Sequence, residues 1–239
     1  MEGLPGHPVQ RSGRRAGGGP AHVGRVLSGS RRLVVLRHGR TADNLAGVIQ
    51  GQLDTPLDDV GRTQASRVAS VLAAMKPALV LSSDLVRASD TAEALGAATG
   101  LVPVLDARLR ELSLGSWEGL TSSQARESHP EEHATWRSGA DVRRGGGETR
   151  REAGERAAAC VREHLPALAP GEMMIAVTHG GTARAALGVL LDLPDACWVR
   201  LVALGNACWS VLVEADLGWR LEQHNMGFTV GDLSIEPGR

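Results

Sequence analysis

The sequence predicts an α/β fold, a three-layer α-β-α sandwich around a mostly parallel sheet. Three observations predict it. Short apolar runs of the length of buried strands alternate along the chain with longer segments of helical spacing. Glycine or proline stands at most of the boundaries between them. The 239 residues suit one such domain or two smaller ones, and strands that alternate with helices form a parallel sheet covered on both faces.

The first part of the predicted domain contains two strands and two helices. Residues 33–37 form an apolar, β-branched run that a glycine soon ends. Residues 59–75 have apolar side chains at helical spacing, and a Lys-Pro pair closes them. A second apolar run follows at 78–81. Asp84 then signals the start of a helix over 85–98, which a nearby glycine ends.

The rest of the chain continues this alternation with one interruption. The further predicted elements are strands at 102–105, 173–177, 201–204 and 207–213, and helices at 122–128, 148–168 and 181–191. Residues 106–147 otherwise lack a period, so we expect an irregular segment with that single helix in it. A Pro-Gly pair closes the long helix that follows, and the chain ends in a polar tail.

Residues 1–31 are predicted to be a disordered arm, and residues 32–239 to be the folded domain. Gly, Pro, Ser and Arg dominate the arm, and it has no apolar period. Its arginines outnumber its single acidic residue, which favours a solvated tail over a tether to an anionic surface. The change of composition at Arg32 also fits a natural start further along the chain, near Val26.

The composition limits the classes of function. The formal net charge is -1 at pH 7, so nothing global indicates nucleic acid or a membrane surface as a partner. The three cysteines, Cys160, Cys197 and Cys208, lie far apart and indicate free thiols rather than a disulfide framework or a zinc site. No apolar stretch of the sequence is long enough to span a bilayer. We therefore expect a cytoplasmic protein.

Residues that carry chemistry follow the first strand. Arg37, His38 and Gly39 stand just past its carboxyl end, where α/β proteins bind their ligands. A permanent cation lowers the proton affinity of a neighbouring histidine and keeps it a neutral nucleophile. An arginine fork suits a phosphate, and a glycine lets backbone N–H groups approach an anion. The triplet therefore predicts a phosphate site, provided that the remaining parts of one occur elsewhere.

A second strand end repeats this pattern. Thr178, His179, Gly180 and Gly181 follow the apolar run at 173–177 and lead into a predicted helix. Because neighbouring parallel strands end at the same edge of a sheet, both histidines can lie in one crevice. The glycines open a helix whose amino end attracts anions. The matching contexts favour a functional role for the two histidines over a structural one.

Two further residues complete the candidate phosphate site. Arg87 lies near the start of the helix after the second strand, from where it can reach the same edge of the sheet. Glu111 lies in the irregular segment beside apolar neighbours, an environment that keeps a carboxyl group protonated. Taken singly, each is more typical of a solvated surface side chain.

Together these segments resemble the histidine phosphatase superfamily, which has the phosphoglycerate mutase-like fold. The resemblance covers residues 32–226. The matching positions are Arg37-His38-Gly39 with Thr41 and Asn44, Gln50-Gly51 with Asp54, Ser82-Ser83 with Arg87 and Thr91, Glu111 with Trp117, and His179-Gly180-Gly181. Because they are spread over the chain, the resemblance is specific, and it implies the α/β fold that the pattern predicts.

The resemblance implies a role for each matching residue. His38 is the implied nucleophile, which becomes a phosphohistidine. Arg37, Arg87 and His179 are implied to bind the phosphoryl group, and Glu111 to protonate the leaving alcohol and then activate water. The further positions implied to bind phosphate or substrate are Thr41, Asn44, Gln50, Gly51 and Gly180. The resemblance implies no cofactor and no metal, and no His, Asp and Glu cluster in the sequence has metal-ligand spacing.

The implied enzyme is a phosphoric monoester hydrolase acting on a small phosphorylated metabolite. Mutases of the superfamily usually carry a longer, Arg-rich segment where this chain has the short stretch 119–145, so we favour a phosphatase. Within that stretch, Trp136, Arg137, Arg143 and Arg144 either bind an acidic substrate or are solvated, and the sequence favours neither alternative.

Residues 33–55, 82–85, 108–111 and 205–209 resemble, within the superfamily, the phosphatases of glucosyl-3-phosphoglycerate. We therefore expect glucosyl-3-phosphoglycerate as the substrate. The expected partner is this small molecule, and the sequence leaves open whether the protein forms a homodimer. The alternatives are a broad-specificity phosphatase, an alpha-ribazole phosphatase and a cofactor-dependent phosphoglycerate mutase. A catalytically inactive binding protein on the same fold is the alternative outside the enzymes, and the presence of every expected residue counts against it.

Overall fold

The computed structural model of the chain describes residues 29–227. The predicted arm lies outside the described residues apart from its last three, so the arm and the boundary at residue 32 stay predictions. Residues 228–239 lie outside the described part as well. Among the helices that the structure describes, none is long and apolar enough to cross a membrane.

Six strands form one sheet. They are β1 (Arg32–Arg37), β2 (Leu79–Ser82), β3 (Val104–Leu105), β4 (Met173–Thr178), β5 (Trp209–Ala215) and β6 (Gly218–Met226). Their order across the sheet is β3-β2-β4-β1-β5-β6. The four strands from β3 to β1 pair in parallel, whereas β5 is antiparallel to β1 and β6 is antiparallel to β5. The prediction of a mostly parallel sheet is confirmed.

Eight helices accompany the sheet within residues 29–227. They are α1 (Ala42–Ala46), α2 (Asp59–Ala73), α3 (Val86–Thr99), α4 (Ser122–Ser128), α5 (Pro130–Arg137), α6 (Arg150–His164), α7 (Gly180–Leu190) and α8 (Asp195–Trp198). Side-chain caps fix several of their starts. The Asp58 carboxylate accepts a hydrogen bond from the N–H of Gly61 at the start of α2 (2.7 Å), and Thr149 and Glu152 form a capping box at α6. These caps satisfy N–H groups that a helix leaves unpaired.

The sheet separates two apolar layers. Side chains alternate along β1, so that Leu33 and Val35 join one layer and Val34 and Leu36 join the other. Helices α6 and α7 contribute to the first layer, and α2 and α3 to the second. Every residue of β4 is buried, as expected for a central strand covered on both faces. The predicted three-layer sandwich is confirmed.

The sheet beyond β1 differs from the prediction in two ways. Residues 201–204, predicted as a strand, form an irregular loop, and much of the predicted polar tail is strand β6. Because β6 lies at the edge, most of its side chains are exposed, and Trp219 and Leu221 pack only partly against the core. An edge strand needs no continuous apolar run. Its alternating pattern was therefore too weak to separate it from a polar tail.

Residues 106–148, here named the connecting segment, join β3 to α6. The predicted helix at 122–128 is confirmed as α4, where Thr121 and Gln124 form a capping box. Helix α5 is not predicted from the sequence. Within α5 only His133 is buried, so this helix has no apolar stripe that a periodic pattern would show.

The start of α3 is built differently from the prediction. Asp84 does not cap this helix, because its carboxylate accepts two hydrogen bonds from Arg110. The N–H of Val86, the first helical residue, donates instead to Asp54 at 2.7 Å. The capping group thus stands 32 residues earlier in the chain, in another loop, which local spacing does not show.

Candidate active site

Two histidines meet at the carboxyl ends of the central strands. Strands β1 and β4 pair with Arg37 opposite Thr178, so the next residues, His38 and His179, leave the sheet side by side. Their ring centroids lie 5.1 Å apart, and their exposed fractions are 2% and 0%. The structure thus brings both histidines into one crevice, as the strand pattern predicts.

His38 is oriented by its own backbone. Its Nδ1 lies 2.6 Å from the carbonyl oxygen of Gly39, and because a carbonyl oxygen only accepts, Nδ1 carries the proton and donates. Nε2 then keeps the free lone pair. Burial, followed by the neighbouring His179 and the charges of two nearby arginines, lowers the pKa of His38 well below its usual 6.5. The imidazole is therefore neutral and nucleophilic at neutral pH.

Gly39 allows the close approach of α2. Its N–H donates to the Oγ1 of Thr91 at 3.1 Å, so this N–H is not available to an anion as the sequence suggested. A Cβ at this position would lie 2.4 Å from the carbonyl oxygen of Gly61 in α2. Any larger residue would push the helix away from the end of β1, and the glycine is explained by this packing.

His179 is held by two side chains. Its Nδ1 accepts a hydrogen bond from the Nε of Arg87 at 3.1 Å, so its Nε2 carries the proton and donates to the Oγ of Ser83 at 2.9 Å. Burial, followed by the charges of Arg87 and Arg37, lowers the pKa of His179 well below 6.5. His179 is therefore neutral as well, with the opposite tautomer from His38.

Arg87 joins the crevice to the loop after α1. Only 1% of Arg87 is exposed, and its Nη1 and Nη2 donate to the carbonyl oxygens of Leu53 (2.6 Å) and Gly51 (2.8 Å). Gln50 in the same loop is buried, and its Oε1 has no hydrogen-bond partner among residues 29–227. Of the two predicted site residues in this loop, Gly51 thus holds Arg87, and Gln50 has an unused polar atom.

The guanidinium of Arg37 lies at the amino end of α7. Its Nη1 donates to the carbonyl oxygen of Leu204 at 2.7 Å, whereas its Nε is buried without a partner in the described part of the chain. A Cβ at Gly180, the first residue of α7, would lie 3.4 Å from that Nε. Burial lowers the pKa of Arg37 below its usual value, against an opposing effect of Glu111. Arg37 therefore keeps an unused donor.

Thr41 and Asn44 form a reciprocal cap at the start of α1. The Oγ1 of Thr41 accepts from the N–H of Asn44, and the Oδ1 of Asn44 accepts from the N–H of Thr41, both at 3.1 Å. The same Oδ1 accepts from the Nδ2 of Asn206 at 3.0 Å. With its oxygen engaged twice, Asn44 offers its own Nδ2 as a donor. Thr41 is fully buried, so its part is to fix Asn44.

The surroundings of Glu111 contradict the protonated carboxyl that the sequence predicts. The carboxylate lies at the amino end of α7, where it accepts from the N–H groups of Gly181 (3.0 Å), Thr182 (2.8 Å) and Leu112 (2.9 Å). Burial raises the pKa of Glu111, but these N–H groups and Arg87 outweigh burial, and the pKa falls below its usual 4.5. Glu111 is therefore ionised at neutral pH.

The backbone at Glu111 is fixed from two sides. The Nε2 of Gln52 donates to the carbonyl oxygen of Glu111 at 3.2 Å. Arg156 on α6 donates to three carbonyl oxygens within residues 108–111, and it also pairs with Glu148. The position of the carboxylate thus depends on a bonded backbone, although Glu111 stands in a segment with little regular structure.

The five residues that the resemblance implies to be catalytic lie together at one edge of the sheet. They are Arg37, His38, Arg87, Glu111 and His179. Burial lowers the pKa of both arginines, and the charge of Glu111 opposes this effect at both of them across the crevice. Within residues 29–227, no group of three or more His, Cys, Asp or Glu side chains is placed to hold a metal ion. A neutral nucleophile, two guanidinium groups and a carboxylate suit the transfer of a phosphoryl group.

Comparison with known proteins decides the family. Residues 33–227 match the histidine phosphatase superfamily (branch 1). The chain belongs to the histidine phosphatase superfamily. The match extends over nearly the same residues as the expected 32–226, and the predicted family is confirmed.

Two similar members of this superfamily are named glucosyl-3-phosphoglycerate phosphatase. The one from Mycobacterium tuberculosis (strain CDC 1551 / Oshkosh) is 44% identical over 190 residues, which cover 77% of this chain and 85% of the relative. The one from Mycolicibacterium vanbaalenii is 39% identical over 219 residues, which cover 84% and 97%. A solved structure of mycobacterial glucosyl-3-phosphoglycerate phosphatase with VO3 has a TM-score of 0.78 at 43% identity, covering 82% of this chain and 100% of that one. The predicted class of enzyme, a phosphoric monoester hydrolase, is confirmed.

Three residues of this histidine phosphatase have contacts that the sequence analysis did not assign. Ser83 accepts from His179, Asn206 donates to Asn44, and Arg156 holds the backbone before α4. Ser83 and Asn206 stand in segments that resemble the superfamily, but nothing in those segments shows which side chains they meet. Arg156 is one of several arginines on α6, and the sequence offers no signal that distinguishes it.

Proposed function

We propose that this protein is a phosphomonoesterase that hydrolyses glucosyl-3-phosphoglycerate through a phosphohistidine at His38, without a metal ion. The observation that carries the proposal is the pairing of His38 and His179, 5.1 Å apart, with Arg87 bonded to the second ring. The shared name of the two relatives supports the choice of substrate.

In the first step, the Nε2 of His38 attacks the phosphorus atom. The bond between phosphorus and the ester oxygen breaks as the N–P bond forms, and Glu111 gives its carboxyl proton to the leaving oxygen. The Nδ1 proton of His38 stays in its hydrogen bond to the carbonyl oxygen of Gly39. That bond becomes stronger as the ring gains positive charge, so it favours the attack.

In the second step, water attacks the phosphorus of the phosphohistidine. The Glu111 carboxylate takes a proton from the water, the N–P bond breaks, and its electron pair returns to the Nε2 of His38. Phosphate then leaves the crevice. The covalent intermediate replaces one difficult hydrolysis by two displacements, each with the same set of donors around the phosphoryl group.

Negative charge on the phosphoryl group is met by the positive groups of the crevice. Arg37 supplies a buried Nε that has no other partner among the described residues, and Arg87 keeps N–H groups beyond the three it uses. His179 orients Arg87 through its Nδ1. Asn44 adds the N–H groups of its Nδ2. Donors fixed before the reaction stabilise the transition state without reorganisation.

The ionised state of Glu111 sets a condition on the first step, because a carboxylate cannot protonate a leaving group. A proton must therefore reach Glu111 when the substrate binds. A phosphoryl dianion beside the carboxylate raises its pKa, and phosphomonoesters lose their second proton at a pH of about 6. We expect the proton to enter with the monoanionic form of the substrate.

The substrate is proposed from the relatives, of which this chain covers 85% and 97%. The crevice itself favours any small phosphomonoester, because its donors contact the phosphoryl group. The choice among such esters lies in the connecting segment. A homodimer, a cytoplasmic location and the absence of nucleic-acid and membrane partners stay predictions.

Phosphate release from a substrate panel with EDTA present tests the proposal. The panel contains glucosyl-3-phosphoglycerate, 3-phosphoglycerate, phosphosugars, a ribazole phosphate and p-nitrophenyl phosphate. We expect kcat/KM for the first to exceed the others by about a hundredfold or more, with no effect of EDTA. Similar weak rates on all of these compounds would indicate a broad-specificity phosphatase. A preference for the ribazole ester would indicate a different metabolic substrate. Isomerisation of 3-phosphoglycerate without phosphate release would indicate a mutase. The absence of any turnover would indicate a binding protein.

A further inference from the structure

The arginines around the connecting segment and the start of α6 differ in their partners. Most of them pair with a carboxylate: Arg143 with Glu152, Arg150 with Asp141, Arg151 with Asp195, and Arg156 with Glu148. Arg144 and Arg184 are half-buried, yet no hydrogen bond or ion pair joins either side chain to any residue from 29 to 227. A charged group held away from water without a partner is costly, so these two arginines require an explanation.

Arg184 lies in the first turns of α7. It stands two residues after Thr182, whose N–H donates to the Glu111 carboxylate. The Nε of Arg184 is buried and has no acceptor in the described part of the chain. A buried donor without an acceptor loses its hydration without compensation. An oxygen of a bound ligand is the group that would satisfy it.

Arg144 reaches the same region from the connecting segment. It begins a single helical turn that packs backbone against backbone on the residues after Glu111, since a Cβ at Gly145 would lie 2.3 Å from the carbonyl oxygen of Leu114. The Arg144 guanidinium lies over the ring of Trp136, 5.3 Å from its centroid. The ring attracts the cation and restricts its plane, so Arg144 is held beside the backbone that follows Glu111.

The two guanidinium groups share an electrostatic environment with Glu111. Burial, opposed by Glu111, lowers the pKa of Arg144 to about 10, and the charges of Arg150 and Arg184 act in the same direction as burial. Burial also lowers the pKa of Arg184, again with Arg150 adding to it and Glu111 opposing it. Arg144 and Arg184 therefore share the charge of the single Glu111 carboxylate, since Arg150 is paired with Asp141. An anionic ligand group would offset the remaining positive charge.

We propose that Arg144 and Arg184 form a carboxylate-binding subsite, with Trp136 behind it, next to the phosphoryl site. The inference rests on the proposed function, since the glyceric part of that substrate carries a carboxylate two carbon atoms from the phosphate ester. An arginine fork matches a carboxylate through two parallel hydrogen bonds. Of the arginines that the sequence analysis left open, Arg143 is excluded because Glu152 already occupies it.

Two ligands that differ at the carboxylate test this subsite. 3-Phosphoglycerate carries the carboxylate, whereas glycerol 3-phosphate has a hydroxymethyl group in its place. Their inhibition constants are measured against p-nitrophenyl phosphate for the wild type, Arg144→Met and Arg184→Met. We expect the wild type to bind 3-phosphoglycerate more tightly by about tenfold or more, and either variant to lose most of this ratio. Because both ligands share the phosphoryl group, general damage to the crevice cancels in the ratio.

Arg137→Met is the matched control. It removes the same charge from α5, where Arg137 is exposed, and it should leave the ratio within about twofold. A wild-type ratio near one, or an equal loss in the control, would overturn the subsite. Arg184→Lys, which keeps the charge but not the fork, replaces Arg184→Met if that variant does not fold. Calorimetric titration of the same two ligands replaces inhibition if p-nitrophenyl phosphate is hydrolysed too slowly.

Failure of the subsite and failure of the proposed function give different results. If the wild type prefers 3-phosphoglycerate over glycerol 3-phosphate but does not hydrolyse glucosyl-3-phosphoglycerate, the subsite is supported and the proposed substrate is wrong. If the wild type hydrolyses this substrate but binds the two ligands equally well, the proposed substrate is supported and the subsite is wrong.

Discussion

The crevice and the connecting segment place their polar residues in different ways. In the crevice, His38 and His179 follow strands at the centre of the sheet, are almost wholly buried, and have partners that fix their tautomers. In the connecting segment, short helices and turns carry exposed or half-buried arginines. Rigid elements hold a reaction geometry well, whereas loops tolerate change. This difference is the reason why we propose phosphoryl transfer for the crevice and the choice of substrate for the connecting segment.

Glu111 belongs to both regions. It stands in the connecting segment, but its carboxylate is held by N–H groups of Gly181 and Thr182 in α7, which begins in the crevice. The proposed acid–base group is thus positioned from the side of the proposed nucleophile. Changes elsewhere in the connecting segment can then alter the substrate pocket without moving this carboxylate.

The largest effect is expected from the nucleophile. His38→Ala removes the nitrogen that we propose attacks phosphorus, so we expect kcat to fall by about 10⁴-fold or more and the phosphoenzyme to disappear. Phosphate release gives the rate, and intact mass after rapid mixing with substrate detects the added phosphoryl group. His164→Ala, a change on α6 outside the crevice, is the control. Turnover by His38→Ala at the wild-type rate would refute the mechanism.

The next effect tests the residue that joins the two regions. Glu111→Gln keeps the size of the side chain but cannot exchange the proton, and we expect kcat/KM for glucosyl-3-phosphoglycerate to fall by about 10²–10⁴-fold. The loss should be clearly smaller for p-nitrophenyl phosphate, because its leaving group needs no proton. Steady-state kinetics on both substrates measure the two losses. Equal losses would show that Glu111 positions the site and does not protonate the leaving oxygen.

The sequence predicts the residues of the crevice better than the structure of the connecting segment. Arg37, His38 and His179 follow apolar runs, and strand pairing fixes where such residues emerge, so a local pattern is enough to bring them together. In the connecting segment, α5 buries a single side chain and has no periodic pattern. Strand β6 is hard to predict for the same reason, because an edge strand is mostly exposed.

Long-range hydrogen bonds lie beyond what the sequence predicts in either region. The apolar neighbours of Glu111 along the chain indicate a protonated carboxyl, but two of the N–H groups that lower its pKa stand 70 and 71 residues later. The cap of α3 likewise comes from Asp54 and not from the adjacent Asp84. Protonation states and caps depend on through-space neighbours, which spacing along one chain does not determine.

A smaller effect tests how the crevice is kept rigid. Asn206 is a positioning residue whose Nδ2 donates to the Oδ1 of Asn44, so Asn206→Ala releases that amide. We expect vanadate to bind about tenfold more weakly, as measured by inhibition. The same Nδ2 also donates to the carbonyl oxygens of His38 (3.3 Å) and Gly39 (3.4 Å), but its bond to Asn44 is the shortest, at 3.0 Å. The double variant with Asn44→Ala should therefore bind vanadate no more weakly than Asn44→Ala alone. Fully additive losses would contradict this route.

The smallest expected effect concerns the pH dependence of His38, which we expect not to titrate near neutral pH. A histidine with its usual pKa of 6.5 loses about tenfold of its neutral form between pH 7.5 and 5.5. Burial and the neighbouring His179 and arginines lower the pKa of His38, so its neutral form persists on the acid side and the acid limb of kcat/KM moves to lower pH. The NMR signal of the His38 ring Cε1–H, assigned by its loss in His38→Gln, should therefore not shift in this range. A midpoint near 6.5 would mean that water reaches the nucleophile, and the division between a dry crevice and a solvated connecting segment would fail.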